Sequence, residues 1–163
     1  LASGFHLAIY TREVIFAAEI LEKEFGVPSD IFSVPSFLEL RREALDIERV
    51  NLLHPDKPAK APYVRECFGD RQGPFIAATD YMKIVPDQIR QWVPGRYVVL
   101  GTDGYGRSDS RAQLRKHFEV DRHHIVVAAL KALADDGKLD AATVKGAMKK
   151  FNIDPDKPNP VTQ

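Results

Sequence analysis

Cysteine is almost missing from this chain of 163 residues, which contains only Cys67. A single cysteine excludes an internal disulfide and a zinc site built from cysteines, and it fits a reducing compartment, so we expect a cytoplasmic protein. Cys67 lies in a short helix-like segment, where we expect a small buried apolar side chain rather than a nucleophile. The longest apolar runs, such as residues 125–130, are far shorter than the ~20 residues that span a bilayer.

An excess of one charge is also missing. The 23 Lys and Arg residues equal the 23 Asp and Glu residues. Without a basic field, we expect neither nucleic acid nor a membrane surface as a partner.

The familiar catalytic motifs are missing as well. The five histidines do not follow the H-x-x-x-H or H-E-x-x-H spacing of helical metal sites, and no G-x-S-x-G or G-x-x-x-x-G-K-[S/T] segment occurs. Taken alone, the residues predict no catalytic, cofactor-binding or metal-binding group.

What the sequence does contain is an alternation of strand and helix patterns, which favours a mostly parallel sheet covered on both faces. Predicted strands lie at residues 31–34, 74–79 and 97–100, and the first residues read as the end of another strand. Predicted helices lie at residues 11–25, 36–53, 86–92, 122–136 and 141–151. The prolines at residues 54–62 predict a surface crossover, and the last two helices are expected to form a helical cap.

A glycine-rich turn, residues 101–111, connects the apolar run at 97–100 to a helical pattern. We call this segment the elbow. Its glycines allow positive φ angles and close backbone approach, and Asp109 or Ser110 is expected to cap the following helix. A phosphate cradle is the less favoured alternative, because Asp103 and Asp109 would repel an anion. Arg107 and Arg111 could reach an acidic partner or an adjoining domain.

The order of several motifs resembles one family. They are Ser36-Phe37-x-Glu39-Leu40, Asn51-x-Leu53-His54-Pro55, Pro62-Tyr63, Ala78-Thr79-Asp80-Tyr81-Met82-Lys83, the elbow from Leu100 to Arg111, His117-Phe118-Glu119-Val120-Asp121 and Lys150-Phe151-Asn152-Ile153-Asp154. The chain resembles the carboxyl-terminal domain of the homodimeric pyruvate dehydrogenases, from about Thr11 to Pro160.

This resemblance implies a transketolase-like carboxyl-terminal fold of the α/β class. The expected architecture is a three-layer α/β/α domain over residues 1–153, with a mixed, mostly parallel sheet of about five strands. A proline-rich tail is expected over residues 154–163. Relative to the family, the segment between Gly4 and Ala17 is a few residues longer, and Arg42-Glu43-Ala44-Leu45 replaces a more polar stretch that contains glycine.

The resemblance also implies the function. Full-length enzymes of this family decarboxylate pyruvate on thiamine diphosphate with Mg²⁺ and pass the acetyl group to the lipoyl group of a dihydrolipoyl acetyltransferase core. Their cofactor ligands lie in preceding domains, so we expect a fragment of a longer chain that is inactive alone. Its expected partners are those preceding domains, the homodimer partner and the acetyltransferase core.

Within that expectation the elbow is a candidate interdomain loop. Its candidate contact residues are Thr102, Asp103, Tyr105, Arg107, Asp109 and Arg111. The alternative left open is a free-standing binding or regulatory module that recognises a small anion or carboxylate through Arg107 and Arg111.

Overall fold

A computed structural model describes residues 5–9 and 12–162 of the chain. Along the chain the elements are β1 (Phe5–Ile9), α1 (Arg12–Phe25), β2 (Ser29–Ser33), α2 (Phe37–Leu53), α3 (Tyr63–Phe68), β3 (Phe75–Ala78), α4 (Ile84–Asp87), a 3₁₀ turn (Arg90–Trp92), β4 (Tyr97–Leu100), α5 (Arg111–His117), α6 (Arg122–Asp135), α7 (Ala141–Lys150) and a second 3₁₀ turn (Pro160–Thr162).

The four strands form one sheet in the order β2-β1-β3-β4, and every neighbouring pair is parallel. The chain steps from β1 outward to β2 and then crosses back over β1 to β3. Because parallel crossovers keep one hand, this reversal sends α1 to one face of the sheet and α2 and α3 to the other. The carboxyl ends of β3 and β4 therefore lie side by side.

The sheet differs in detail from the expectation. The strand predicted at 97–100 is confirmed, and those predicted at 31–34 and 74–79 occur at Ser29–Ser33 and Phe75–Ala78. The fifth strand and the antiparallel pairing of a mixed sheet are not found among the described residues. The turn near Gly4 and the start of the first helix at Thr11 lie outside those residues.

Strand β3 separates two apolar clusters. Ile76 and Ala78 face α1 and α6, whereas Phe75 and Ala77 face α2, α3 and the segment around Trp92. All four side chains are buried, as the continuous apolar run predicts for a central parallel strand. The fold has helices on both faces of the sheet.

The expectation of a helical cap at residues 122–151 is wrong. Helix α6 buries Ile125, Val126, Ala129 and Leu130 and packs against α1, β3 and β4, with α7 outside it. The physical reason is the width of the sheet, which exceeds that of a single helix. Four strands are roughly 14 Å across between the outer strand axes, and one helix covers about 10 Å, so α1 needs a second helix beside it.

Two local predictions also need correction. The helix predicted at residues 86–92 is two short turns, α4 and the 3₁₀ turn, which place Ile89 and Trp92 in the core. Trp92 is held there by Nε1, which donates to the Glu48 carboxylate at 2.8 Å. Cys67 lies in α3 as expected but is half-buried rather than buried, since α3 leaves one side exposed to solvent.

The predicted starts of α2, α6 and α7 are confirmed at the atomic level. Ser36 Oγ accepts from the Glu39 N–H at 3.2 Å, and Asp121 and Asp140 accept from the first turns of α6 and α7. The Glu39 carboxylate pairs with Arg42 instead of returning to the cap. The Asn51 amide bonds both the N–H and the carbonyl of Lys60, which holds the proline-rich crossover against α2.

We expect Ile76→Ala to lower the free energy of unfolding by about 2–5 kcal/mol, because it removes fully buried methyl groups and leaves a cavity between β3 and α6. The matched control is Ile15→Ala, at an α1 position that is 45% exposed. Chemical denaturation of both variants checks this, and equal losses would contradict the assignment of the core.

Candidate functional site

The elbow starts where β4 ends and lies against the loop that follows β3. The Thr79 N–H donates to the Leu100 carbonyl at 3.0 Å, and the Thr102 N–H donates to the Tyr81 carbonyl at 2.9 Å. A Cβ atom at Gly101 would lie 2.7 Å from the Tyr81 carbonyl oxygen and 2.8 Å from the Lys83 nitrogen. Glycine is therefore required at position 101 for close approach of the two loops.

Two of the predicted contact residues connect these two loops by hydrogen bonds inside the domain. The Asp103 carboxylate accepts from the Lys83 N–H at 2.9 Å, and the Thr102 hydroxyl donates to the Asp80 carbonyl at 3.0 Å. Both side chains are only partly exposed. Thr102 and Asp103 thus fix the shape of the elbow, and their polar groups are already engaged within the domain.

The other four predicted residues lie on the exposed part of the elbow. Tyr105 is 74% exposed, and Arg107, Asp109 and Arg111 are exposed as well. Ser110 is the N-cap of α5, with Oγ accepting from the Gln113 N–H at 3.4 Å, and Asp109 accepts from the Ser110 N–H. A carboxylate therefore stands beside the start of α5, which does not suit a phosphate.

Next to the elbow, four charged side chains form a connected network of ion pairs and hydrogen bonds. Arg115 donates to both oxygens of Asp80, at 3.0 and 2.6 Å, and its guanidinium lies 3.6 Å from Glu13. Glu13 in turn accepts two side-chain bonds from Arg122, at 2.8 and 3.1 Å, and one from the Arg122 backbone N–H. The network joins the loop after β3 to α1, α5 and α6.

The sequence did not reveal this network. Its bonds connect residues 35 and 109 positions apart, so no local motif contains both partners. Asp80 was noted only as part of a motif. The one available signal was that charged residues occupy positions facing inward on α1 and α5, where Glu13 and Arg115 have side chains only 12% and 15% exposed.

In Glu13, Arg115 and Arg122 the pKa is shifted in the direction that favours the charged form. The Arg122 hydrogen bonds hold the pKa of Glu13 below its ordinary value despite the opposing effect of burial. Conversely, the hydrogen bonds to Asp80 raise the pKa of Arg115, and those to Glu13 raise the pKa of Arg122. Glu13 and Arg122 thus favour the charged forms of each other.

A hollow of about 520 Å³ opens between the elbow and α5. Its lining includes Tyr105, Leu114 and Phe118, three arginines at 107, 111 and 115, and the carboxylates of Asp80 and Asp109. Arg115 and Asp80 neutralise each other, whereas Arg107 and Arg111 have no hydrogen bond or ion pair among the described residues. The hollow presents positive charge beside aromatic surface.

The histidines at positions 117, 123 and 124 line a second cleft of about 790 Å³, between α5, α6 and the end of α7. There His124 Nδ1 lies 2.9 Å from the Asp121 carboxylate, and His123 stacks on Phe151. No three His, Cys, Asp or Glu side chains of the described residues are grouped to hold a metal ion. Among all the residues that the structure describes, no helix is long and apolar enough to cross a membrane.

The carboxyl-terminal segment lies against the elbow. Lys157 donates to the His117 carbonyl at 2.6 Å and pairs with Glu119, which places a cation at the end of α5, where the helix dipole is negative. Pro160 is buried beside Gly104. Gly104 has φ +120°, and a Cβ atom there would lie 2.5 Å from the Pro160 carbonyl oxygen.

Comparison with known proteins gives a consistent set of similarities. A family model described as a transketolase-like TK C-terminal domain matches residues 1–121. The chain is 58% identical over 151 residues to a Pseudomonas aeruginosa protein named pyruvate dehydrogenase E1 component, covering 92% of this chain and 17% of that protein. The proteins of the same name from Escherichia coli (strain K12) and Mycolicibacterium smegmatis are 53% and 46% identical, over 91% and 94% of this chain and 17% and 16% of their own lengths.

The chain thus spans about a sixth of the length of the curated relatives it matches. Among solved structures, a chain titled split gene transketolase, inactive beta4 tetramer, is similar with a TM-score of 0.52 and 17% identity. That match covers 82% of this chain and 40% of the other. At this identity the similarity concerns the fold alone.

We expect Glu13→Gln to lower the free energy of unfolding at pH 7 by about 1–3 kcal/mol, because Arg115 and Arg122 lose their shared anion. The folded pKa of Glu13 is depressed, so its contribution is present above the ordinary value of 4.5 and lost as the pH falls through the folded value. Unfolding curves from pH 7 to 2 should show the two proteins converging in acid. Glu22→Gln, an exposed change on the same helix, should have little effect at any pH, and a constant gap for Glu13→Gln would contradict the linkage.

We expect Gly104→Ala to destabilise the domain by about 1–3 kcal/mol and to displace the segment around Pro160, because it adds both a steric clash and backbone strain. Gly106→Ala is the matched control, since a Cβ atom there meets nothing within 4 Å. Thermal unfolding, with amide exchange of residues 156–162, measures both effects. Equal behaviour of the two variants would show that the segment does not pack on Gly104.

Proposed function

This chain belongs to the family of transketolase-like TK C-terminal domains, and we propose that it is the non-catalytic carboxyl-terminal domain of a pyruvate dehydrogenase. In this proposal the full-length enzyme decarboxylates pyruvate on thiamine diphosphate. It then transfers the acetyl group to the lipoyl group of an acetyltransferase core.

The observation that supports this function is the extent of the match to relatives of that name. The similarity runs through 92% of the chain at 58% identity, well above what a shared fold alone requires, as the 17% identity to the transketolase structure illustrates. It extends beyond residue 121, where the family model ends, into the region that holds α6 and α7.

The elbow residues do not fit a thiamine diphosphate. Asp103 would face the pyrophosphate as a carboxylate, and it already accepts from the Lys83 N–H. Asp109 adds a second carboxylate beside the start of α5. We therefore place the cofactor and its Mg²⁺ in preceding domains of the full-length chain, and this domain supplies neither a catalytic nor a cofactor-binding residue.

The proposed partners follow from that role. They are the preceding domains of the same chain, the second copy of the homodimer and the dihydrolipoyl acetyltransferase core, in the cytoplasm. Within the chain we propose a domain over residues 1–153 and a proline-rich tail over residues 154–163. Lys157 and Pro160 attach this tail to the domain.

The free-standing module for a small anion or carboxylate is the less favoured function. Arg107 and Arg111 have the right charge for it. However, the chain matches relatives about six times its length.

We expect the full-length gene product that carries this domain to oxidise pyruvate with thiamine diphosphate, Mg²⁺ and an artificial electron acceptor. The isolated 163 residues should show no turnover and no saturable binding of phosphate or acetate at millimolar concentration. The first check is the reading frame upstream of Leu1. A full-length protein without activity, or an isolated chain with activity, would contradict the proposal, and saturable acetate binding lost in Arg107→Ala would favour the module.

A further inference from the structure

Exposed apolar side chains occur at several places on the described surface, and one group of four lies at the carboxyl edge of the sheet, near the elbow. Tyr81 and Met82 in the loop after β3 and Ile84 at the start of α4 are 57%, 58% and 63% exposed, and Tyr105 in the elbow is 74% exposed. Together with Arg107 and Arg111, which line the hollow beside Tyr105, we call these residues the elbow rim. Tyrosine, methionine and arginine are the residue types enriched in protein interfaces.

The elbow rim has a fixed shape. Its two loops are tied together by the Thr102–Tyr81 and Asp103–Lys83 hydrogen bonds and by the close approach at Gly101. Arg115 fastens the same loop to α5 through Asp80. A rigid surface loses little conformational entropy when it binds, so its apolar area contributes more fully to association.

The charges of the elbow rim identify the chemistry of its partner. Of the carboxylates nearby, Asp80 is ion-paired with Arg115 and Asp103 accepts from the Lys83 N–H, whereas Asp109 is exposed and accepts only from the neighbouring Ser110 N–H. Arg107 and Arg111 are the arginines of this surface without a partner among the described residues. A complementary surface would therefore carry carboxylates, which a planar guanidinium binds with two hydrogen bonds.

A second copy of this domain bound through the same face is a poorer partner. A two-fold contact would bring Arg107 and Arg111 near their own copies, with Asp109 as the one exposed carboxylate of the elbow to balance each pair. An anionic bilayer is also disfavoured, because only two unpaired cations are present, whereas lipid-binding segments use clusters of four to eight.

We propose that the elbow rim docks on an acidic, partly apolar face of the same polypeptide outside these 163 residues, with a carboxylate entering the hollow between Arg107 and Arg111. This inference rests on the proposed function. The matched relatives are about six times as long as this chain, so under the proposed function most of the polypeptide lies outside this domain. The elbow is then the interdomain loop, with Tyr105, Arg107 and Arg111 making the contact and Thr102 and Asp103 shaping it.

The test uses the full-length gene product with Arg107→Lys and Arg111→Lys, which keep the charge and introduce amines. A carbodiimide joins such an amine to a carboxylate in contact with it, and mass spectrometry of the digest identifies both ends. We expect cross-links from position 107 or 111 to Asp or Glu outside the 163 residues. Arg49→Lys, at an exposed position of α2, is the matched control and should give no such link.

Mixing ¹⁵N-labelled and unlabelled protein separates links within one polypeptide from links between two copies. Links only between copies, only within the 163 residues, or to no carboxylate at all would each overturn the proposal. Pyruvate turnover of the same samples distinguishes failure of the docking proposal from failure of the proposed enzymatic activity. An active enzyme without the link refutes the docking surface alone, and a linked but inactive protein refutes the proposed activity alone.

Amide exchange gives an independent readout without cross-linking. In the full-length protein we expect residues 102–110 to be protected, and the double variant Arg107→Glu with Arg111→Glu to exchange there about tenfold faster or more. The control pair Arg41→Glu with Arg49→Glu should leave this segment unchanged. Equal exchange in the wild type and the Arg107/Arg111 variant would contradict docking through these arginines.

Discussion

The arrangement of α1, α5 and α6 depends on the carboxylate of Glu13. Its carboxylate accepts from Arg122 and lies near Arg115, so one anion on α1 orients side chains of α5 and α6. Removing three charges from much of their hydration is costly, and only the mutual contacts and the Asp80 pair offset that cost. The arrangement is therefore specific, because an apolar residue at any one of the four network positions would leave an opposite charge without its partner.

The same network determines how the exposed surface is presented. Arg115 belongs to α5, the helix that begins where the elbow ends, and it holds the loop after β3 through Asp80. The elbow is thus fixed at its β4 end by Gly101 and at its α5 end by Arg115. Between these points only Tyr105, Arg107 and their neighbours face solvent, which concentrates the features of a docking site on a few rigidly held side chains.

The sequence predicts this fold well where the signal is local. Ser36, Asp121 and Asp140 mark helix starts by their own side chains, and the run Tyr97–Leu100 has the composition of a buried strand. The position of α6 depends instead on how much sheet α1 leaves uncovered. That is a property of the assembled sheet, so residues 122–135 alone indicate a helix but not its layer.

The candidate site was predictable to a similar extent. The elbow and its capping residue could be located from glycine and serine spacing, whereas its division into bracing and exposed residues could not. Thr102 and Asp103 bond to a loop about twenty residues earlier, and no spacing rule separates them from Tyr105 or Arg107. The partners of Arg115 and Arg122 are more distant still, and they emerge only when the strand order is known.

The strand order also constrains how the domain assembles. Strand β1 is internal to the sheet, and α1 must meet α6, which begins 109 residues after Glu13. Contacts of such long range are slow to form, because the loop-closure entropy is lost before any interaction compensates it. On the ribosome, the first helix would remain with one face uncovered until residue 122 and the helix beyond it have left the exit tunnel. Within this domain, chaperone protection would then matter most for the segment that is made first.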